Sequence, residues 1–212
     1  MLLAFDTATP AVTVALHDGE RVVASLTRVD ARRHGELLAP GITSVLDEAW
    51  VARQDITAVA VGVGPGPFTG LRVGLVTART LALALDIPVY GVCTLDVLAA
   101  AAVDSAAVQG PFLVATDARR KEVYWASYDE GGARLDGPHV SRPADVASEG
   151  PVVGSGALLY PDAFPRPAGP EYPDAGVLAA VVTEERAELL DPEPLYLRRP
   201  DVAVPGRPKP VT

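Results

Sequence analysis

The chain holds one cysteine, Cys93, among 212 residues. No intrachain disulfide can form, and no structural zinc site built on several thiolates is possible. That usage points to a cytoplasmic protein. Histidine is almost as scarce. His17, His34 and His139 stand far apart, none with a second histidine three or four residues on, so a helical zinc or iron pair is absent and each is expected as a surface or capping residue. Positive charge is short too, 18 Lys and Arg against 27 Asp and Glu, for a net charge of −9. Such a chain repels nucleic-acid backbone at long range, so any contact with RNA needs a local basic patch or a partner. Arg72 and Arg79 interrupt the longest apolar region, and the opening Met-Leu-Leu-Ala-Phe-Asp has no basic segment, so neither a membrane span nor a secretory leader is expected. A Gly-x-Ser-x-Gly elbow and a Gly-Lys-Ser/Thr P-loop are both missing, which removes the anchors of serine-hydrolase and P-loop chemistry.

What remains is 49% hydrophobic and 21% charged, a composition that buries a real core. Apolar or β-branched stretches at 2–7, 11–17 and 21–29, punctuated by Thr9-Pro10 and Asp18-Gly19, predict three antiparallel strands, the first buried on both faces. The period then changes. Leu38, Ile42, Val45, Leu46 and Ala49 fit one face of a helix over 34–50, with Pro40 in its first turns or bending it. A strand over 56–63, a helix over 69–85, a strand over 87–92 and a helix over 94–103 complete an α/β lobe. Asp104, Ser105, Gln109, Gly110 and Pro111 mark a boundary, dividing the chain into an N-terminal lobe, 1–105, and a C-terminal lobe, 106–212, that is the smaller once its extended Pro-rich tail is set aside. The second lobe opens with strands at 112–116 and 123–128. Proline and glycine predict loops over 131–176, with a short helix opened by Gly154-Ser155-Gly156-Ala157 within that region, and a helix over 174–190 capped by Asp174. After Arg199, four prolines predict an extended tail.

The most distinctive stretch is Gly62-Val63-Gly64-Pro65-Gly66-Pro67-Phe68-Thr69-Gly70-Leu71-Arg72-Val73-Gly74, which follows a strand and opens a helix. Its glycine spacing fails the dinucleotide fingerprint, leaving a tight structural turn or an anion site made of backbone N–H groups. Along the helix behind it, Gly70, Gly74, Ala78 and Ala82 form a ridge of small residues that lets something approach closely. That something is either this chain's own sheet and the 34–50 helix, or a helix of another subunit; spacing leaves both open. Asp6 and Thr7, at the end of the first strand, suit either a turn cap or nucleotide phosphates bridged by a metal ion. Cys93, with no basic neighbour, is expected to be a buried, inert thiol.

Asp6-Thr7-Ala8-Thr9, the Gly64–Gly74 turn, Asp117-Ala118-Arg119 followed by Glu122-Val123-Tyr124, and Pro194-Leu195-Tyr196-Leu197-Arg198 together resemble the bacterial TsaB (YeaZ) family across most of the chain. Pro67 departs from the serine expected there and removes a hydroxyl and an N–H. The resemblance implies a two-lobed α/β fold like that of actin, Hsp70 and sugar kinases. It also implies a role in forming N6-threonylcarbamoyladenosine at position 37 of tRNAs that read ANN codons, as a non-catalytic subunit that supports TsaD, with TsaE joining. The catalytic paralogue holds its metal with a histidine pair; those positions fall here on Thr94 and Leu98, and Leu98 has no donor atom.

The resemblance further assigns the 34–50 and 69–85 helices to the interface with TsaD, and to a homodimer when TsaD is absent. The interface positions carried over are Leu38, Ile42, Val45 and Leu46 on the first helix, and Gly70, Leu71, Gly74, Leu75, Ala78 and Ala82 on the second. Nucleotide contact is assigned to Asp6 and Thr7. No catalytic residue, metal or cofactor of its own is expected, ATP or ADP entering only within the complex, and tRNA is met indirectly through it. The alternative is an independent ATPase or small-molecule kinase of the same fold, working through Asp6 and the glycine turn. A peptidase is the weakest reading, because no nucleophile or activated water can be named.

Overall fold

A computed structural model describes residues 1–198; the expected extended tail after Arg199 lies outside them. The three opening stretches form an antiparallel meander, β1 (Leu2–Asp6), β2 (Ala11–His17) and β3 (Val22–Val29). Helix α1 (His34–Ala49) leads to β4 (Ala58–Gly62), and α2 (Phe68–Leu85) leads to β5 (Val89–Val92). β4 pairs in parallel with both β1 and β5, so the first sheet runs β3-β2-β1-β4-β5. Successive side chains of a strand point to opposite faces. Leu3 and Phe5 therefore enter a core shared with α1 and α2, while Leu2 and Ala4 enter one on the other face. That is why β1 carries no alternation of polar residues.

Helix α3 (Thr94–Asp104) and a short linker precede the second sheet. Its strands are β6 (Phe112–Asp117), β7 (Val123–Tyr128), β8 (Arg134–Ser141), β9 (Val152–Val153) and β10 (Pro167–Ala168), in the order β10-β9-β6-β7-β8. Helix α4 (Ser155–Leu159) packs on this sheet, and α5 (Ala175–Thr183) follows it in sequence. β8 corrects the expectation of loops. Gly137 and Pro138 masked it, but an edge strand needs only one side of its backbone for pairing and tolerates both.

The cut at 105/106 separates the two sheets, yet the helices cross it. α5 lies on β1 and β2 of the first sheet, and α3 turns Leu95, Leu98, Ala99 and Ala102 toward Phe112, Val114 and Tyr128 of the second lobe. The Asp174 carboxylate caps α5 as expected, accepting from the N–H groups of Gly176 and Val177 at 2.7 and 3.0 Å. Thr13 Oγ1 accepts the N–H of Ala175 at 3.0 Å and fixes that end on β2. The helix stops at Thr183, short of the expected residue 190. Glu184, Glu185 and Glu188 follow it, and acidic side chains are unfavourable at the negative end of a helix. Helix α2 is long and apolar enough to cross a membrane by length and composition alone, with mean hydropathy 1.3; here Leu71, Leu75, Ala78 and Ala82 bury one side of it.

Candidate functional site

The first expected site lies where β1 ends. Asp6 is fully buried, its Oδ2 accepting from the Thr94 hydroxyl at 2.6 Å and its Oδ1 from the Ala8 N–H at 2.6 Å. Burial pushes its pKa above the ordinary carboxylate range, against the pull of those two hydrogen bonds. Thr7 is equally buried and donates its hydroxyl to the Gly70 carbonyl at 2.8 Å. This geometry gives Asp6 and Thr7 a structural role. Both side chains turn inward, away from any open surface, and clamp the glycine turn and the start of α3 to β1.

The turn itself is closed by the chain's own groups. The Gly64 N–H donates to Thr94 Oγ1 at 3.2 Å, the Thr94 N–H to the Gly64 carbonyl at 2.8 Å, and the Leu195 N–H to the Val63 carbonyl at 2.9 Å. A Cβ on Gly66 would fall on the Ala8 carbonyl and one on Gly70 on the Thr7 carbonyl, while one on Gly74 would stand 2.5 Å from Thr7 Oγ1. The glycines of the ridge therefore seat the start of α2 against Thr7 and Ala8, just past β1, and the rest of the helix lies on β4.

The expected partner positions lie within the first lobe. Leu38, Ile42, Val45 and Leu46 of α1, with Gly70, Leu71, Gly74, Leu75, Ala78 and Ala82 of α2, are all buried in the first lobe. Ile42 and Leu46 also line a groove between the two helices, together with Thr77 and Leu81.

The faces left uncovered lie elsewhere on the same two helices. On α2, Val73 is half-buried, Thr80 is exposed, and Val76 and Leu83 are 62% and 85% exposed. These recur at 3-4-3 spacing, a seam that suits a second helix, and reading the sequence for the ridge alone passed over it. Trp50, 95% exposed, ends α1 with φ 56°, the left-handed conformation that favours glycine.

Between the lobes lies a cavity of about 350 Å³, bordered by Thr9, Arg32, His34, Thr116, Asp117 and Arg119. No trio of His, Cys, Asp or Glu is placed to hold a metal among the described residues. Thr94 and Leu98 are both fully buried. His34 starts α1 as expected, but it is buried, with Nε2 at 2.7 Å from the Thr9 carbonyl; His17 is buried too and accepts the Gly19 N–H on Nδ1 at 3.1 Å. Only His139 is at the surface, beside Asp136 at 2.9 Å. Cys93 is buried, its thiol pushed up to about 12 by desolvation and then by the nearby Asp96.

Comparison with known proteins follows the same lines. Residues 22–203 match the family model of TsaD, tRNA N6-adenosine threonylcarbamoyltransferase. The chain is 46% identical to an uncharacterised protein of Mycobacterium tuberculosis, over 94% of this chain and 92% of that one. It is 36% identical to the tRNA threonylcarbamoyladenosine biosynthesis protein TsaB of Escherichia coli, over 76% and 74% of the two chains. The fold superposes on YeaZ from Pseudomonas aeruginosa with a TM-score of 0.75 at 32% identity, covering 92% of this chain and 99% of that one. With the two-sheet α/β architecture and this level of identity over most of both chains, the protein belongs to the TsaB (YeaZ) family of tRNA threonylcarbamoyladenosine biosynthesis.

Proposed function

We propose that this chain is a non-catalytic subunit that binds and supports TsaD, with TsaE joining, in forming N6-threonylcarbamoyladenosine at position 37 of tRNAs that read ANN codons. Acting beside tRNA places it in the cytoplasm. The observation that carries the subunit role is the uncovered seam of Val73, Val76, Thr80 and Leu83 on a helix whose opposite side is locked into the core. Aliphatic side chains at heptad-like spacing, with the Thr80 methyl between them, gain free energy when a partner helix covers them. The match to the TsaD family model supports a partner of related fold, and the same seam serves a homodimer when TsaD is absent. A non-catalytic role is supported by Leu98, which cannot ligate a metal, and by Asp6, whose carboxylate is spent on Thr94 and Ala8. ATP or ADP then enters only with the assembled complex.

The test is coexpression with the cognate TsaD and sizing of the product, using Val76→Glu with Leu83→Glu. Both sites are exposed, so the variant is expected to fold as the parent does and to lose the complex, and cells carrying it are expected to lose the modified nucleoside. A complex of undiminished affinity in that variant would remove the seam from the interface. ATP hydrolysis by the isolated chain, abolished in Asp6→Ala, would favour the independent-enzyme alternative.

A further inference from the structure

The chain is acidic overall, but its cations are not evenly spread. Arg119, Arg120 and Lys121 follow one another at the tip of the β6–β7 hairpin, all exposed and all in the left-handed conformation, with φ of 62°, 56° and 60°. That conformation is disfavoured for an L-residue, whereas glycine adopts it almost freely. The hairpin does not need these side chains to close, because backbone hydrogen bonds do so: Ala118 N–H to the Glu122 carbonyl and Glu122 N–H to the Arg119 carbonyl, both at 3.0 Å. Three large cations thus stand where the backbone alone favours glycine, and strain of this kind gathers at functional positions.

The surroundings of the tip favour a polyanion. Two carboxylates face it. Asp117 accepts the Arg119 N–H at 2.8 Å and lies 3.9 Å from its Nε, and Glu122 pairs with Arg198, which also donates to the Ala118 carbonyl. Arg119 and Lys121 keep their side chains exposed at the tip. Arg119 and Arg120 border a cavity of about 420 Å³ that Phe68, Tyr124 and Tyr196 also line. Phe68 stacks on Tyr196 with ring centres 4.3 Å apart, and the Arg72 guanidinium lies 4.2 Å from the Phe68 centroid, adding another cation at the rim. Cations beside aromatic side chains are a pairing by which proteins hold nucleic acid; with Tyr196 and Arg72 already over the Phe68 ring, the contact offered here is to phosphates. Three sequence segments that took no part in the subunit interface converge here: the start of α2, the 117–122 hairpin and the 194–198 segment.

We propose that the β6–β7 hairpin, with Arg72 beside it, is an RNA-contacting surface that grips phosphates of the tRNA. The proposal rests on the tRNA-modification reading above and departs from it in giving this chain a direct contact.

The test substitutes Arg119→Gly together with Lys121→Gly, which removes two charges and relieves the backbone at once. Fluorescently labelled tRNA transcript is titrated at several salt concentrations into the isolated chain and into its complex with TsaD, with ADP as a separate ligand. The variant is expected to melt no lower than the parent, to bind tRNA at least about tenfold more weakly, and to show a salt slope smaller by about two, as loss of two phosphate contacts requires. Unchanged tRNA affinity and slope, no tRNA binding by either form, or loss of ADP binding alone overturns the proposal. The subunit reading is judged separately, by assembly with TsaD in the Val76→Glu and Leu83→Glu variant.

Discussion

The Thr94 hydroxyl donates to Asp6 Oδ2 at 2.6 Å in the closed interior between β1 and α3. This buried pair rivets β1 to α3. The rivet has a measurable electrostatic cost. Burial raises the Asp6 pKa in the folded state above its ordinary value of 3.8, so over the interval between the two values the native protein holds a proton that the unfolded chain has lost. Stability from this group is complete below 3.8 and declines as pH climbs through the raised value. Asp6→Asn is expected to flatten that decline. Urea midpoints for both proteins between about pH 4 and 8 measure it as the difference between two curves, which cancels the similar trend from Asp96. Parallel curves would show that the carboxylate is not strained by burial.

Gly74 and Gly35 provide a contrast in what a methyl group meets. On Gly74 it would stand 2.5 Å from Thr7 Oγ1, which is already engaged by the Gly70 carbonyl; on Gly35 the nearest atom is Val73 Cγ2 at 3.9 Å. Gly74→Ala is expected to lose about 1–3 kcal/mol through overpacking. Gly35→Ala is expected to be neutral or to gain up to about 1 kcal/mol from helix propensity. Denaturation of the free chain checks both, and equal effects would contradict the seating of α2 on the β1 end.

Much of this architecture was legible in the residues. The uninterrupted apolar run of β1, the period of Leu38, Ile42, Val45 and Leu46, and the Asp174 cap each state their own element. Local pattern did not reveal what lay across the fold. A helix with small residues on one side and Val73, Val76, Thr80 and Leu83 on another has two packing faces, and only the positions of β4 and of Thr7-Ala8 show which is already filled. Thr80 also interrupts that second face with a hydroxyl, so hydropathy alone does not mark it as a seam. β8 was hidden because Gly137 and Pro138 break strands in general and are harmless at an edge. Asp6 reads as a potential ligand until Thr94, far away in sequence, is found to occupy it.

Trp50 joins conformational strain to exposure. Its N–H donates to the Asp47 carbonyl and the Val51 N–H to the Leu46 carbonyl at 3.0 Å, closing α1 in the manner usual for glycine. Trp50→Gly is expected to stabilise the free chain by about 1 kcal/mol, since no buried contact is lost and the left-handed strain disappears. If the tryptophan is held for the TsaD interface, the same change weakens assembly while raising the melting temperature, opposite shifts that a purely structural role does not produce. A lower melting temperature in the variant would contradict the strain argument.

Cys93 reports on the integrity of the lobe junction without any substitution. Its thiol lies in the cluster where α3 meets Phe112, Val114 and Tyr128, and desolvation with the neighbouring Asp96 carboxylate raises its pKa to about 12. Reactivity of a thiol follows its thiolate fraction and its access. An exposed cysteine labels faster as pH rises from about 7 to 9, whereas this one is expected to resist disulfide reagents across that range and to react fully once urea unfolds the chain. Because α3 packs on both lobes, a labelling rate that exceeds global unfolding in the native protein would mean that the lobes part locally at α3. Rates matched to unfolding would show that sheet, helix and sheet open as one unit.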